Sequence, residues 1–372
     1  MKILYDYRLI QKFYPRGVSR YGISLMENFL AASSIYCYDN EYTLLIDPEV
    51  TTEFFKHERD LKFITVETLN NYSKQFDLFF NTSTIVMGLP VINSIDYLYP
   101  EIIIKNCKKI ACILHDFVPL LIKEHLPDNL SKINYALQLE AVKKCDYIFT
   151  NSEFTSKSGS KYLELPIERF TTIYGPINNI FYKDVNYYSA SDRNNTVISV
   201  LGECPRKNAE RLVKAWCIAV KKHFVPEDAC LYIMSYYNSR ERLYKICREE
   251  GISLKYIKVF DFIPDNKLVS LLAKSRAAIF PPYLEGLGLP ILESYAAGTP
   301  CFTANTSSTK ELVNAEASFN PFDEHDIADA IFKIYNDEVL CKANLKFGRD
   351  LLKEINGEKI ARKILEKIHA EN

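Results

Sequence analysis

Two glutamates bracket the stretch of this sequence best suited to holding a hydroxyl-rich anion. The run is Glu285-Gly286-Leu287-Gly288-Leu289-Pro290-Ile291-Leu292-Glu293. Pro290 stands where the first turn of a helix would begin. Glu285 therefore belongs to a glycine-bearing loop, and Glu293 lies about one turn into the helix. Gly286 and Gly288 let backbone N–H groups approach an anion beside a helix N-terminus. The two carboxylates can then grip hydroxyls at different depths. The plainer alternative is a glycine turn with two surface acids near a helix start, where acids are favoured in any case.

Adjacent cations follow another apolar run. Val197-Ile198-Ser199-Val200-Leu201 leads through Gly202-Glu203-Cys204-Pro205 to Arg206 and Lys207. Arginine offers a planar fork for phosphate oxygens and lysine a mobile point charge, a pairing that suits a diphosphate. A third run, Ala111-Cys112-Ile113-Leu114, delivers His115 and Asp116 to its end. His115 could hydrogen-bond a sugar hydroxyl, while Asp116 could orient the ring or cap the next segment. Near the start, Gly17-Val18-Ser19-Arg20-Tyr21 opens a helix. Its single glycine is not the GxGxxG fingerprint of a dinucleotide dehydrogenase.

Short β-rich runs alternate with helical stretches and would place all these residues at strand ends. Strands are expected at 2–6, 42–46, 77–81, 109–115, 146–150, 196–201, 230–235, 256–260, 277–280 and 301–304. Several are continuous apolar runs, as parallel strands covered on both faces require. Such alternation predicts doubly wound parallel sheets, whose ligands bind at the carboxyl ends of the strands. A polar stretch within 183–195 interrupts the pattern and a fresh strand follows. The expected organisation is a first domain over 1–183, a linker at 184–195, a second domain over 196–355, and a terminal helix over 356–372. With 372 residues the chain has room for two such domains. A formal net charge of −1 gives no electrostatic reason to expect nucleic acid as a partner. Ten cysteines without a Cys-x-x-Cys pair read as reduced thiols, with no structural zinc site. No apolar run is long enough to span a bilayer, and no signal peptide opens the sequence.

Together these motifs resemble the family 4 retaining glycosyltransferases. The likeness runs in order along nearly the whole chain. It takes in the loop at Gly17, Leu114-His115-Asp116, and Thr150-Asn151-Ser152-Glu153. It continues through Gly202 to Asn208 and Phe262-Ile263-Pro264-Asp265, and ends with Glu285 to Glu293. The resemblance implies an α/β GT-B fold, two Rossmann-like doubly wound domains facing across a cleft, with the terminal helix crossing back to the first domain. It implies that Arg206 and Lys207 hold the donor diphosphate, and that Glu285 contacts donor sugar hydroxyls with the backbone at Leu287, Gly288 and Leu289. Glu293 would bind the ribose, His115 would contact the sugar, and Gly17 would face the diphosphate. His115, Glu285, Arg206 and Lys207 are thus the expected catalytic set. No metal is implied, because the two cations stand in its place. Two departures are Tyr174-Gly175-Pro176 where many relatives have Asn-Gly, and Leu287 where the family has Phe.

The expected function is transfer of a hexose, mannose favoured, from a GDP- or UDP-linked donor to a saccharide or lipid-linked acceptor. Asp6-x-Arg8 and the Gly17–Tyr21 pattern point towards the mannosyltransferases of bacterial surface polysaccharide assembly. The expected location is the cytoplasm, where such an acceptor would suit peripheral association with the inner face of the membrane. A sugar-nucleotide 2-epimerase on a related fold and a non-catalytic sugar-nucleotide-binding subunit stand as alternatives. Loss of the glutamate or Arg-Lys pair would favour the last, and this chain keeps both.

Overall fold

The computed structural model describes residues 1–13, 17–49, 61–70, 75–84, 94–182, 193–234 and 240–370. The chain forms two compact units. One comprises Met1–Pro176 with Ile355–Asn372, the other Ile177–Glu354.

The first unit is built on β1 (Lys2–Asp6), β2 (Glu41–Leu45), β3 (Lys62–Ile64), β4 (Phe76–Asn81), β5 (Cys107–Leu114), β6 (Tyr147–Thr150) and β7 (Phe170–Thr172). These strands lie in the order β3-β2-β1-β4-β5-β6-β7, and every pairing is parallel. Aromatic residues on one face fasten the sheet to the helix Gly17–Ile35. Tyr5 stacks on Phe80 at 5.5 Å, Phe29 meets both edge-on, and Phe80 lies 6.1 Å from Phe149. The terminal helix Gly357–His369 also belongs to this unit. It buries Ile360, Ala361, Ile364, Leu365 and Ile368, one stripe of an amphipathic helix, and packs on the helix Gly17–Ile35. Lys363 Nζ donates to the Thr172 carbonyl at 2.7 Å, and the Tyr36 hydroxyl to Glu358 at 2.6 Å.

The second unit carries β8 (Asn194–Val200), β9 (Cys230–Met234), β10 (Ile257–Phe260), β11 (Ser275–Phe280), β12 (Cys301–Ala304) and β13 (Ser318–Phe319), in the order β10-β9-β8-β11-β12-β13. All of its pairings are parallel too. Both sheets therefore reverse strand order once, at β1/β4 and at β8/β11. Side chains there can reach a ligand from diverging loops, which is where doubly wound sheets bind.

The chain changes unit earlier than the polar stretch suggested, between Pro176 and Ile177. The short helical turn Asn179–Tyr182 explains the shift: Phe181 is fully buried and the turn packs on the helix Asp265–Lys274 of the second unit. Most of the expected linker, 184–192, lies outside the described residues. Among the described residues no helix is long and apolar enough to cross a membrane.

Candidate functional site

At the switch point of the second sheet, β8 and β11 deliver the two strongest motifs to neighbouring loops. Ala277 and Ala278 of β11 pair with Val197 and Ile198 of β8, so both strands end at the same edge. Beyond β8 the chain turns at Gly202, whose φ of +72° favours glycine. Pro205–Lys207 then forms a short 3-10 turn. Asn208 adopts φ +65° and opens the helix Ala209–Lys221. Its buried side-chain amide donates to the Pro281 and Pro321 carbonyls at 3.0 and 2.7 Å, tying three loops together.

The loop after β11 is fixed by two more contacts from the cationic turn. Tyr283 N–H donates to the Arg206 carbonyl at 2.8 Å, and the Arg206 guanidinium donates to the Leu284 carbonyl at 2.9 Å. The outcome is a cluster of three of the expected residues. Arg206 lies 2.6 Å from Glu285 Oε1, and Lys207 Nζ pairs with the same oxygen while sitting 4.8 Å over the Phe280 ring. Burial works against the Glu285 charge, but Lys207 and Arg206 outweigh it and hold the carboxyl below its ordinary range. Burial lowers the Lys207 ammonium, with Glu285 opposing that shift. Two cations and one anion leave the cluster a formal charge of +1, so it still attracts phosphate.

Gly288 caps the helix Leu289–Ala296 with φ +107°, and an added Cβ would stand 2.9 Å from Ile291 Cδ1. Glycine is required there on both counts. Leu287 is buried, Leu289 begins the helix, and Glu293 follows one turn in with 2% of its surface exposed. A buried glutamate is not the surface acid of the plainer reading.

Sequence reasoning overlooked the residues that clamp this loop. Ser307 Oγ accepts from the Glu285 N–H at 3.0 Å, and Ser308 Oγ stands 2.9 Å from both the Glu285 and Leu287 carbonyls. The polar run Asn305-Thr306-Ser307-Ser308-Thr309, directly after the buried strand β12, was the available signal.

In the first unit His115 stands just beyond β5. Its Nε2 is 2.7 Å from the Thr82 carbonyl at the end of β4, and the Tyr21 ring meets it edge-on at 5.0 Å. Burial lowers its pKa, partly offset by Thr82 and Asp116, so the ring is held neutral. Neutral imidazole donating from Nε2 presents Nδ1 as an acceptor. Asp116 caps the next segment by accepting from Val118 N–H at 2.9 Å. Gly17, exposed and with nothing within 4 Å of an added Cβ, begins the helix that carries Tyr21. Phe262, beyond β10, is 63% exposed and available for a flat ligand. Asp6 and Arg8, by contrast, are consumed by each other. Arg8 makes buried hydrogen bonds of 2.9 and 2.7 Å to the two oxygens of Asp6 and a third, part-buried one to the Tyr97 carbonyl. Their pattern is structural.

Residues 188–350 match the family model described as Glycosyl transferases group 1. Over 244 residues the chain is 27% identical to the serotype-specific mannosyltransferase WbdA of Escherichia coli, covering 63% of this chain and 30% of that one. Over 243 residues it is 24% identical to the O-antigen chain mannosyltransferase RfbU of Salmonella typhimurium, covering 61% and 65%. The chain thus spans less than two thirds of the length of either curated relative. Among solved structures, Anabaena HepE in complex with UDP and glucose superposes with a TM-score of 0.72 at 15% identity, covering 100% of both chains. Sucrose-phosphate synthase from Thermosynechococcus elongatus does so with 0.71 at 14% identity, again over 100% of both. The fold is therefore the two-domain α/β GT-B architecture, and the second unit is similar in sequence to glycosyltransferases of group 1.

Proposed function

We propose that this chain is a retaining hexosyltransferase of family 4, taking a sugar, mannose in preference, from a nucleoside diphosphate to a saccharide or lipid-linked acceptor. The observation that carries the reading is the Arg206–Glu285–Lys207 cluster at the switch point of the second sheet. Such a cluster holds two cations in a fixed geometry beside one another, which is what electrostatic stabilisation of a departing diphosphate requires. Arg206 and Lys207 hold the leaving group, and Glu285 orients them while reaching sugar hydroxyls beside the Leu287–Leu289 backbone. Glu293 binds the ribose. The likeness to O-antigen mannosyltransferases supports mannose as the sugar and surface polysaccharide as the product. Anabaena HepE, which binds UDP, keeps a uridine-linked donor in play beside a guanosine-linked one.

Thermal melting with GDP, UDP, TDP and ADP tests the donor class. A specific ligand at about 100 times its dissociation constant stabilises by roughly 2.7 kcal/mol. The matching sugar nucleotide is then incubated with methyl α-mannoside, and the anomeric configuration of the product is read by NMR. A retained configuration is expected. Inversion removes the retaining assignment, and an epimerised sugar released without acceptor replaces the transferase with an epimerase.

A further inference from the structure

We propose that Ser19 and Asn151, standing on either side of His115 in the first unit, form a subsite that hydrogen-bonds sugar hydroxyls. The proposal rests on the transferase reading above and adds two residues that the motifs did not assign.

Strand register brings Asn151 next to His115. Phe149 of β6 is paired with Ile113 of β5, and Thr150 with Leu114. Asn151 and His115 are each one residue further. The paired Phe149 and Ile113 share one face of the sheet, and Asn151 and His115 stand just past the strand ends, on segments leaving neighbouring strands about 5 Å apart. This is the face the helix Gly17–Ile35 covers: Phe149 lies against Phe80, Phe80 against Phe29 of that helix, and Tyr21 against His115 itself. Ser19 approaches from the other side. It lies one turn before Gly22, where an added Cβ would come within 3.8 Å of Thr82 Cβ. Thr82 is the residue whose carbonyl holds His115. Residues three apart share a helix face, so Ser19 extends the Gly22–Thr82 line towards the carboxyl edge of the sheet.

Both side chains are buried, Ser19 with 0% and Asn151 with 5% of its surface exposed. Among the described residues neither Ser19 Oγ nor Asn151 Oδ1 has a hydrogen-bond partner. Buried polar atoms are nearly always satisfied, so two orphans beside one histidine ask for a ligand. Its chemistry follows from the groups present. Asn151 Oδ1 and His115 Nδ1 accept, and Ser19 Oγ does either. None of these three side chains carries a charge to match an anion. Hydroxyls, which both donate and accept, suit all three. They could belong to the transferred sugar or to the acceptor.

The test uses the full chain with Ser19→Ala, Asn151→Ala and Asn151→Asp, the last keeping an oxygen acceptor. Calorimetry measures GDP and GDP-mannose, or UDP and UDP-glucose if melting favours uridine, and kinetics follow transfer to methyl α-mannoside. The alanine variants are expected to bind the bare nucleotide as wild type does. They should lose roughly 3- to 10-fold in one sugar-dependent quantity, the span of a lost neutral hydrogen bond. Loss of the preference for nucleotide sugar over nucleotide assigns the subsite to the donor. A raised KM for methyl α-mannoside with that preference intact assigns it to the acceptor. Asn151→Asp should stay closer to wild type than Asn151→Ala. Alanine variants that match wild type in both quantities overturn the proposal, as does an equal loss for bare nucleotide. If an alanine variant fails to fold, the other variant and Asn151→Asp decide by the same comparison. Failure of wild type to bind any sugar nucleotide would instead count against the transferase reading.

Discussion

Burial lowers the Lys207 pKa, and Glu285, which pairs with both it and Arg206 through a single oxygen, opposes that shift. On the proposed function the arrangement separates binding from catalysis in a measurable way. Arg206→Ala and Lys207→Ala each remove a charge-assisted hydrogen bond worth roughly 1.5–3 kcal/mol. Affinity for nucleoside diphosphate should therefore drop about 10-fold or more for each, as calorimetry would register. Glu285→Gln should do the opposite to the bare diphosphate, tightening it by freeing both cations, while turnover falls because their orientation is lost. Weaker diphosphate binding in Glu285→Gln would show that the carboxylate is a ligand and not an organiser. The types of all three residues were legible in the sequence, yet their mutual pairing was not, since 78 residues separate Glu285 from Lys207 and only the β8/β11 register joins them. His115 was legible too. Its neutrality depends on burial beside Tyr21, which no local pattern reports.

That neutrality has a pH signature. The ring has the Thr82 carbonyl, Tyr21 and Asp116 about it, the Thr155 hydroxyl donates to the His115 backbone carbonyl, and burial lowers the ring's pKa below the ordinary value of about 6.5. An unfolded chain takes up the proton first as pH falls, so the folded state loses stability between about 6.5 and the lowered value. Above that window the contribution is fully present. His115→Gln removes this component, so the stability gap between wild type and variant, read by urea unfolding at pH 7.5 and 5.5, should move against wild type at the lower pH. A gap independent of pH would mean that the ring titrates as in an open chain.

At the scale of elements, what was readable is what buried repetition makes readable. The long apolar runs at 2–6, 196–201, 277–280 and 301–304 all form strands, displaced by a residue or two at most. The strands β3, β7 and β13 have only three, three and two residues, too short for any period to register. They add both edges of the first sheet and one edge of the second without carrying the candidate site. The clamp after β12 was missed for a different reason, because serines and threonines signal a loop and not the loop they will hold. Ser308→Ala removes a hydroxyl that lies within hydrogen-bond distance of the Glu285 and Leu287 carbonyls. The expected result is a raised KM for the sugar nucleotide with little change in melting temperature. Gly288→Ala should be harsher, since a side chain there faces both φ +107° and the Ile291 methyl. A left-handed backbone alone costs roughly 1–2 kcal/mol for a non-glycine residue, enough to lower the melting temperature as well as donor affinity.

For the whole molecule, the terminal segment is where sequence order and spatial order part. Residues 177–354 form one unit, yet the last eighteen residues, from Ile355 on, belong with the first 176. The first unit thus takes in a helix distant in sequence, and its stability depends on that helix. Ile364 is fully buried in that helix, on the stripe facing the Gly17–Ile35 helix. Ile364→Ala should cost about 2–5 kcal/mol through the lost transfer energy and the cavity left behind. Because the two units have separate cores, the loss should be local. Hydrogen exchange should quicken in β1, β4 and the helix Gly17–Ile35, which carries Ser19 and Tyr21, while the amides of β8 and β11 keep wild-type rates. Uniform acceleration across both sheets would instead mean that the units unfold as one cooperative body, and that the terminal helix supports the loops after β8 and β11 along with the unit it packs on.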